Sequence, residues 1–174
     1  MTLLSLLAKK LNICGLSLAT LHLLSQRSNL TGIAPPAEEE PVMDMEEIEN
    51  DILSDLTELG DAISRYTYLT GCAADCEPLP EEYRRDEYLI SECQVRTWAA
   101  MEWRNGLCRL RADSESLIVR GALALLQEIY EGRSAPEVRA YRCRLLENEL
   151  FAGHFTTEQK KGLSAILAQL SEEV

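Results

Sequence analysis

The dipeptide Asn105-Gly106 separates two segments of alternating side chains, and this arrangement restricts the fold more than any other feature of the chain. Side chains of different character alternate along residues 94–103 and again along residues 107–112. A repeat of two residues is that of a β-strand. Asn-Gly readily adopts the two positive φ angles that a two-residue hairpin turn needs. The sequence therefore predicts an antiparallel β-hairpin over about residues 94–112.

A long helix is predicted before the hairpin. Apolar residues recur there at steps of three and four, as they do on one face of a helix. These residues are Ile48, Ile52, Leu56, Leu59, Ile63 and Tyr66. Asp44 with Glu47 makes a suitable N-terminal capping pair, and Gly71 is a natural stop. The stretch from Cys72 to Arg85 holds two prolines and several charges, which indicates a loop.

A helix over Leu117–Tyr130 is expected directly after the hairpin. Asp113 or Ser114 is suited to cap it, and Gly132 is suited to end it. The segment is apolar almost all round, which indicates that the helix is buried on two sides.

Two further helices are expected in the last quarter of the chain. Ser134–Glu137 forms a capping box with an early proline, and its helix is predicted to run to about Leu150. Thr156 with Gln159 caps a last helix. The expected inner faces are Val138, Tyr141, Leu145 and Leu146 in the first helix, and Leu163, Ile166, Leu167 and Leu170 in the second.

Strands and helices are segregated along the chain, so the predicted fold class is α+β, with a small antiparallel sheet packed by helices.

Charge is distributed unevenly along the chain. The formal net charge is -12, and no Asp or Glu precedes Glu38. Phosphate binding requires clustered Lys and Arg, so nucleic acid is not an expected partner. The uncharged run Leu11–Gln26 is too short and too polar to span a membrane, and no membrane partner is expected.

Residues 1–42 differ from the rest and are treated as an extension of a domain over 43–174. Three explanations remain open: a start codon assigned too early, with the true start at Met43 or Met45; a targeting segment; or a real N-terminal arm. The first predicts a cytoplasmic bacterial protein, and the second predicts an organellar one. A monomer is expected, because the pattern leaves no large unpaired apolar stripe.

The chain has six cysteines, and Cys93 differs from the others by its position. It lies in Ser91–Gln94, between an irregular stretch and the first predicted strand, where another protein's sulfur can reach it. Cys108 and Cys143 fall inside predicted regular elements, where a thiol usually acts as a small hydrophobic group. The chain is long enough to form a core without disulfides, so reduced thiols are expected.

Motifs that begin upstream of Cys93 and continue to the C-terminus resemble the SufE-type sulfur acceptors of cysteine desulfurases. That family has a Cys-Gln pair followed by Trp, a glycine-turned hairpin, an Ala-Asp-Ser-acid string that enters a helix, and a C-terminal His…Gly-Leu segment. The matching segments are Arg65–Leu69, Leu79–Tyr83, Cys93–Trp98, Asn105-Gly106, Ala112–Gly121, Tyr130–Arg133, Gly153–Thr156 and Gly162-Leu163. The resemblance covers about residues 45–172. Glu92 stands where the family usually has glycine.

The resemblance implies a function in iron–sulfur cluster assembly. A pyridoxal-phosphate (PLP) desulfurase would transfer sulfur to Cys93, which would carry it as a persulfide to a cluster scaffold protein. PLP would belong to the desulfurase, and this chain would bind no cofactor or metal of its own. It would act as a sulfur-transfer partner rather than as an independent enzyme. Gln94, Arg96, Asp113 and His154 are the candidates to support the thiolate or bind the partner.

Three other functions remain open on the residues alone. Cys72, Cys76, Cys93 and His154 supply the ligand types of a Cys3His zinc site. Cys72 and Cys76, or either of them with Cys93, are also candidates for a redox pair. A third alternative is a protein that activates a desulfurase without carrying sulfur.

Overall fold

The computed structural model describes residues 43–172 of the chain. Eight helices and strands occur there, interspersed with short 3-10 turns. In chain order they are α1 (Met45–Glu58), α2 (Ala62–Cys72), β1 (Thr97–Arg104), β2 (Leu107–Ser114), α3 (Leu117–Tyr130), α4 (Ala135–Ala140), α5 (Glu149–Ala152) and α6 (Thr157–Glu172). The 3-10 turns are Glu81–Tyr83, Asp86–Tyr88 and Leu145–Glu147. The fold is α+β, as predicted.

The predicted hairpin is confirmed. Strands β1 and β2 pair antiparallel from Thr97 opposite Ser114 to Arg104 opposite Leu107. Asn105 and Gly106 adopt φ angles of 55° and 78°, which is the geometry that Asn-Gly favours. The strands begin and end a few residues later than the predicted range of 94–112, so residues 94–96 belong to the preceding loop.

Helix α3 forms the centre of the core and has the predicted bounds. It packs against α2 on one side and against β2 on another, and nearly all of its side chains are buried. At Gly121 the helix approaches α2 so closely that a Cβ atom would lie 1.7 Å from the backbone oxygen of Leu69. Only glycine permits this approach.

The single long helix predicted for residues 44–70 is wrong, because the segment forms two helices. Gly60 lies between them with a φ of 74°, and the Asp61 side chain accepts hydrogen bonds from the first backbone N–H groups of α2. This break rotates α2 relative to the apolar pattern, so Ile63 and Tyr66 are exposed rather than buried. The predicted cap at Asp44 is confirmed as a capping box with Glu47, and α2 ends at Cys72, one residue beyond Gly71.

The predicted helix from the Ser134 capping box to about Leu150 is also too long. The capping box is present, but α4 ends at Ala140, and Tyr141 is extended with a ψ of 138°. The carboxylate of Glu49, fully buried on α1, accepts hydrogen bonds from the backbone N–H of Arg144 and from its Nε, the latter at 3.2 Å. A backbone N–H that bonds to this carboxylate is not available to continue the helix.

Helix α6 begins as predicted. The backbone N–H of Thr156 donates to the Gln159 side chain, and the backbone N–H of Gln159 donates to the Thr156 hydroxyl. Leu163, Ile166 and Leu170 are buried, whereas Leu167 is only partly buried. The helix contacts β1 and α4, and this packing holds it beside the loop that precedes β1.

Candidate functional site

Cys93 lies on a closed loop that connects the second 3-10 turn to β1. The base of this loop is held by the backbone N–H of Ile90, which donates to the oxygen of Thr97 at 2.8 Å, and by a β-bridge between Leu89 and Trp98. Residues 91–96 have no regular structure. The Cys93 N–H donates to the Ile90 oxygen at 3.2 Å. The junction position predicted for Cys93 is therefore confirmed, and its side chain is partly buried.

The sulfur of Cys93 packs against the backbone of helix α6 at Gly162. A Cβ atom built on Gly162 would lie 1.9 Å from Cys93 Sγ, so the sulfur occupies the space that any other residue's side chain would need. Gly162 is buried. This contact between loop and helix explains why the thiol is only partly accessible.

The surroundings of Cys93 hold its pKa above the ordinary value of 9.0, mainly through burial. The neighbouring carboxylate of Glu92 adds to the increase, and a hydrogen bond with the Thr97 side chain opposes it. A raised thiol pKa means that the neutral thiol predominates at neutral pH. In the free protein, Cys93 is therefore a protected thiol rather than an activated one.

Arg96 and Gln94 lie on the same loop as Cys93. The Arg96 side chain is 61% exposed, and its guanidinium is 3.9 Å from the carboxylate of Glu115. The same guanidinium lies over the ring of Trp98, 4.9 Å from the ring centroid. Gln94 is exposed. Both side chains are placed where a protein that approaches Cys93 would meet them.

Asp113 does not cap helix α3. It belongs to β2 opposite Trp98, and the N-cap of α3 is Ser116, so the predicted capping by Asp113 or Ser114 is wrong. The buried Asp113 carboxylate forms ion pairs with Arg84 and with Arg120, the latter at 2.6 Å. It therefore ties the loop before Cys93 to the sheet and to α3.

His154 packs beside Tyr66 of helix α2. Its ring centroid is 6.5 Å from that of Tyr66, and burial together with nearby Arg65 lowers its pKa. Within residues 43–172, no hydrogen bond, ion pair or resolved electrostatic effect joins His154 to Cys93. The interactions described for His154 are therefore with Tyr66 and Arg65 of helix α2.

Cys72 and Cys76 lie near the end of α2. Cys72 is fully buried, and the Cys76 thiol donates to the backbone oxygen of Ala112 at 3.5 Å. Neither forms a disulfide with another described cysteine. Over the described range 43–172, no group of three or more His, Cys, Asp or Glu side chains is arranged to hold a metal ion. The four residues of the zinc alternative are therefore not brought together.

Two residues of the site were not predicted as such. The Thr97 hydroxyl is buried beside the thiol, and its only sequence signal was its place in an alternating strand. Gly162 interrupts an otherwise regular helical pattern, which is the usual sign of a close backbone approach. What approaches Gly162 is not readable from the sequence, because its partner, Cys93, lies on a distant loop.

These features together define a class: an α+β protein whose candidate site is a sheltered cysteine on a loop beside a hairpin. The model of the SufE family, described as an Fe-S metabolism associated domain, matches residues 50–174. The chain belongs to this family.

One curated relative agrees with that assignment, and one solved structure agrees with the fold. The cysteine desulfuration protein SufE of Wigglesworthia glossinidia brevipalpis is 28% identical over 104 residues, which are 59% of this chain and 72% of that protein. A hypothetical protein from Thermus thermophilus, solved in solution, has the same fold with a TM-score of 0.55 and 23% identity, covering 71% of this chain and 90% of that one. Within residues 43–172, no helix is long and apolar enough to cross a membrane.

Proposed function

We propose that this protein accepts sulfur from a PLP-dependent cysteine desulfurase and carries it as a persulfide on Cys93 to an iron–sulfur cluster scaffold. The observation that carries the proposal is the position of Cys93, whose sulfur is packed on Gly162 while the loop on either side of it is exposed. Membership of the SufE family and the name of the Wigglesworthia relative support the pathway.

The transfer is a thiol exchange in which no net oxidation occurs. The Cys93 thiolate attacks the outer sulfur of the desulfurase persulfide, and a new bond forms between Cys93 Sγ and that sulfur. The bond to the desulfurase cysteine breaks, and that cysteine leaves as a thiolate. The proton that Cys93 loses passes to a base or to water at the interface. The same exchange with an acceptor thiol on the scaffold would release the carried sulfur.

The exposed neighbours of Cys93 are the candidate recognition residues. Gln94 and Arg96 follow Cys93 on the loop and are exposed to solvent. An exposed guanidinium that rests on an aromatic ring presents its donors in a fixed plane, which suits a carboxylate on a partner. Asp113 and His154 contribute less directly, because one ties down the loop and the other lies against Tyr66.

The test is intact-protein mass spectrometry of the full chain after incubation with the desulfurase of its own organism and L-cysteine. The proposal expects one added sulfur that a reductant removes, present in the wild type and absent in Cys93→Ser. Cys76→Ser is the matched control, because Cys76 is also a partly buried loop thiol, and this variant should gain the sulfur normally.

Other outcomes separate the alternatives. If the wild type stimulates the desulfurase without gaining sulfur, and Cys93→Ser stimulates it equally, the protein is an activator rather than a carrier. If the sulfur is added in Cys93→Ser but absent in Cys76→Ser, the sulfur is carried by Cys76 and not by Cys93. An oxidised form two mass units lighter, with no added sulfur, would favour the redox alternative.

A further inference from the structure

We propose that Gly162 is a positioning residue for Cys93, and that its bare backbone provides the space in which the Cys93 sulfur is sheltered. The inference deepens the proposed function, because it concerns how the same thiol is protected between transfers. It rests on a contact between the loop before β1 and the helix α6, and it can be tested without any partner protein.

The contact leaves no space for a larger residue. The three atoms nearest to a Cβ built on Gly162 all belong to Cys93, with Sγ at 1.9 Å, Cβ at 3.2 Å and Cα at 3.6 Å. An alanine methyl and the sulfur therefore cannot occupy this space together. Rotating the cysteine side chain would remove the sulfur from the contact but would leave its Cβ tight against the methyl.

Helix α6 cannot easily move to relieve such a clash. Leu163 and Ile166, which follow the contact on the same helix, are 1% and 0% exposed, so a shift of the helix would open a cavity in the core. The Cys93 loop has no regular structure, and its neighbours Glu92 and Gln94 are exposed. The sulfur is thus expected to move outward, toward solvent, when Gly162 is replaced by alanine.

Exposure of the sulfur should change its reactivity. Burial is the largest cause of the raised pKa of Cys93, and a thiol that leaves the buried position regains solvation of its thiolate. At a fixed pH below the pKa, the thiolate fraction rises about tenfold for each unit by which the pKa falls. Better access for the reagent acts in the same direction.

The first experiment is the rate of iodoacetamide alkylation of the full-length chain, followed at Cys93. Trypsin releases Asp86–Arg96, a peptide in which Cys93 is the single cysteine, so this site can be measured separately from the other thiols. Gly162→Ala should be alkylated several-fold to about tenfold faster than the wild type. Ser164→Ala, an exposed change on the same helix, should leave the rate unchanged. An unchanged or lower rate in a folded Gly162→Ala protein would overturn the proposal.

The second experiment measures coupling between the two residues by thermal unfolding. Alanine is more favourable than glycine inside a helix. Gly162→Ala should therefore raise Tm in a Cys93→Gly background, where position 93 has no side chain to displace. In the wild-type background, which keeps Cys93, the same change should lower Tm or fail to raise it. Should Gly162→Ala alone not fold, the Cys93→Gly double variant is expected to fold. A Tm change of the same size and sign in both backgrounds would show that the contact between residues 162 and 93 does not affect stability, and would contradict the proposal.

Neither measurement uses a desulfurase, so the two proposals fail separately. If alkylation accelerates in Gly162→Ala but no sulfur is ever added to Cys93, the positioning by Gly162 stands and the carrier function falls. If sulfur is added but alkylation does not respond to Gly162→Ala, the carrier function stands and the positioning falls. If both hold, the sulfur loaded on Gly162→Ala should be lost to dithiothreitol faster than that on the wild type.

Discussion

Replacing Asp113 by asparagine removes a buried charge from between two arginines, and we predict a loss of about 2 kcal/mol in the free energy of unfolding. One carboxylate oxygen accepts from Arg120 Nε at 2.6 Å and from the Ser114 N–H at 2.8 Å, and the other contacts Arg84. An amide keeps one acceptor but turns its NH2 group toward one arginine. Removing one partner of a buried ion pair costs about 3–5 kcal/mol. Arg84 and Arg120 are 32% and 38% exposed, so water recovers part of that cost.

Urea denaturation measures this loss directly. With a slope of about 1.5 kcal/mol per molar urea, typical for a domain of this size, the midpoint should fall by about 1.3 M. The matched control is Glu115→Gln, which removes the same charge two residues away. Glu115 is 54% exposed and reaches a single arginine at 3.9 Å, so its loss should cost less than about 1 kcal/mol. Equal losses for the two variants would refute the argument that burial makes the Asp113 pairs important.

The same variant separates a structural role of Asp113 from a catalytic one. Asp113 makes no recorded contact with Cys93; it acts on the loop through Arg84, whose guanidinium also lies 5.2 Å from the centre of the Trp98 ring. Folded Asp113→Asn protein should therefore still gain one sulfur from the desulfurase. Folded Asp113→Asn protein that gained no sulfur would show that Asp113 takes part in the transfer itself.

Three further predictions follow from the buried groups. The alkylation rate of Cys93 should still be rising at pH 9.0, because burial holds its pKa above that value; a plateau near neutral pH would contradict this. Glu49→Gln should lower the free energy of unfolding in urea by about 2–3 kcal/mol, because the buried carboxylate binds the backbone and side chain of Arg144. Burial raises the pKa of Cys76 to about 11 and of Cys143 to about 12. Unfolded thiols lose their protons at lower pH than these folded ones, so the contribution of the two thiols to stability should be constant below about pH 8, and stability should fall between about pH 9 and 12; a flat profile between about pH 9 and 12 would refute it.

The elements that the sequence predicted correctly are those specified by neighbouring residues. Asn105-Gly106 determines its turn through its own φ preferences, and the capping boxes at Asp44, Ser134 and Thr156 determine where three helices begin. Helix α3 was predictable because its apolar residues continue around the whole helix, so the prediction did not depend on choosing which face is buried. Each of these signals acts within a few residues of the chain.

The wrong predictions have long-range causes. The helix that begins at Ser134 ends at Ala140 because Glu49, on a distant helix, binds the backbone at Arg144. The Asp113 side chain is used for ion pairs with two other segments, so it is not free to cap α3. The break at Gly60 is different, because glycine followed by an aspartate is a local stop-and-cap signal. A continuous apolar pattern through residues 48–66 concealed it.

The candidate site was predictable in part for the same reason. The position of Cys93 at a loop-to-strand junction is a local property, and so is the exposure of Gln94 and Arg96. The shelter of the thiol is not, because it depends on the packing of α6 against the loop at Gly162. His154 was a candidate through its place in the C-terminal motif of the resemblance, and the fold places it against Tyr66.

The environment of Cys93 favours the neutral thiol over the reactive thiolate. Burial and the Glu92 carboxylate both raise the thiol pKa, and only Thr97 opposes them. The cation nearest in sequence, Arg96, lies over Trp98 and 3.9 Å from the carboxylate of Glu115. Under the proposed function, the partner must supply the activation. Because the loop is irregular and α6 is firmly packed, a desulfurase that binds the loop can withdraw the sulfur from the helix without unfolding it. Withdrawal removes the burial that holds the pKa up, so under the proposed function docking both exposes the thiol and makes it reactive.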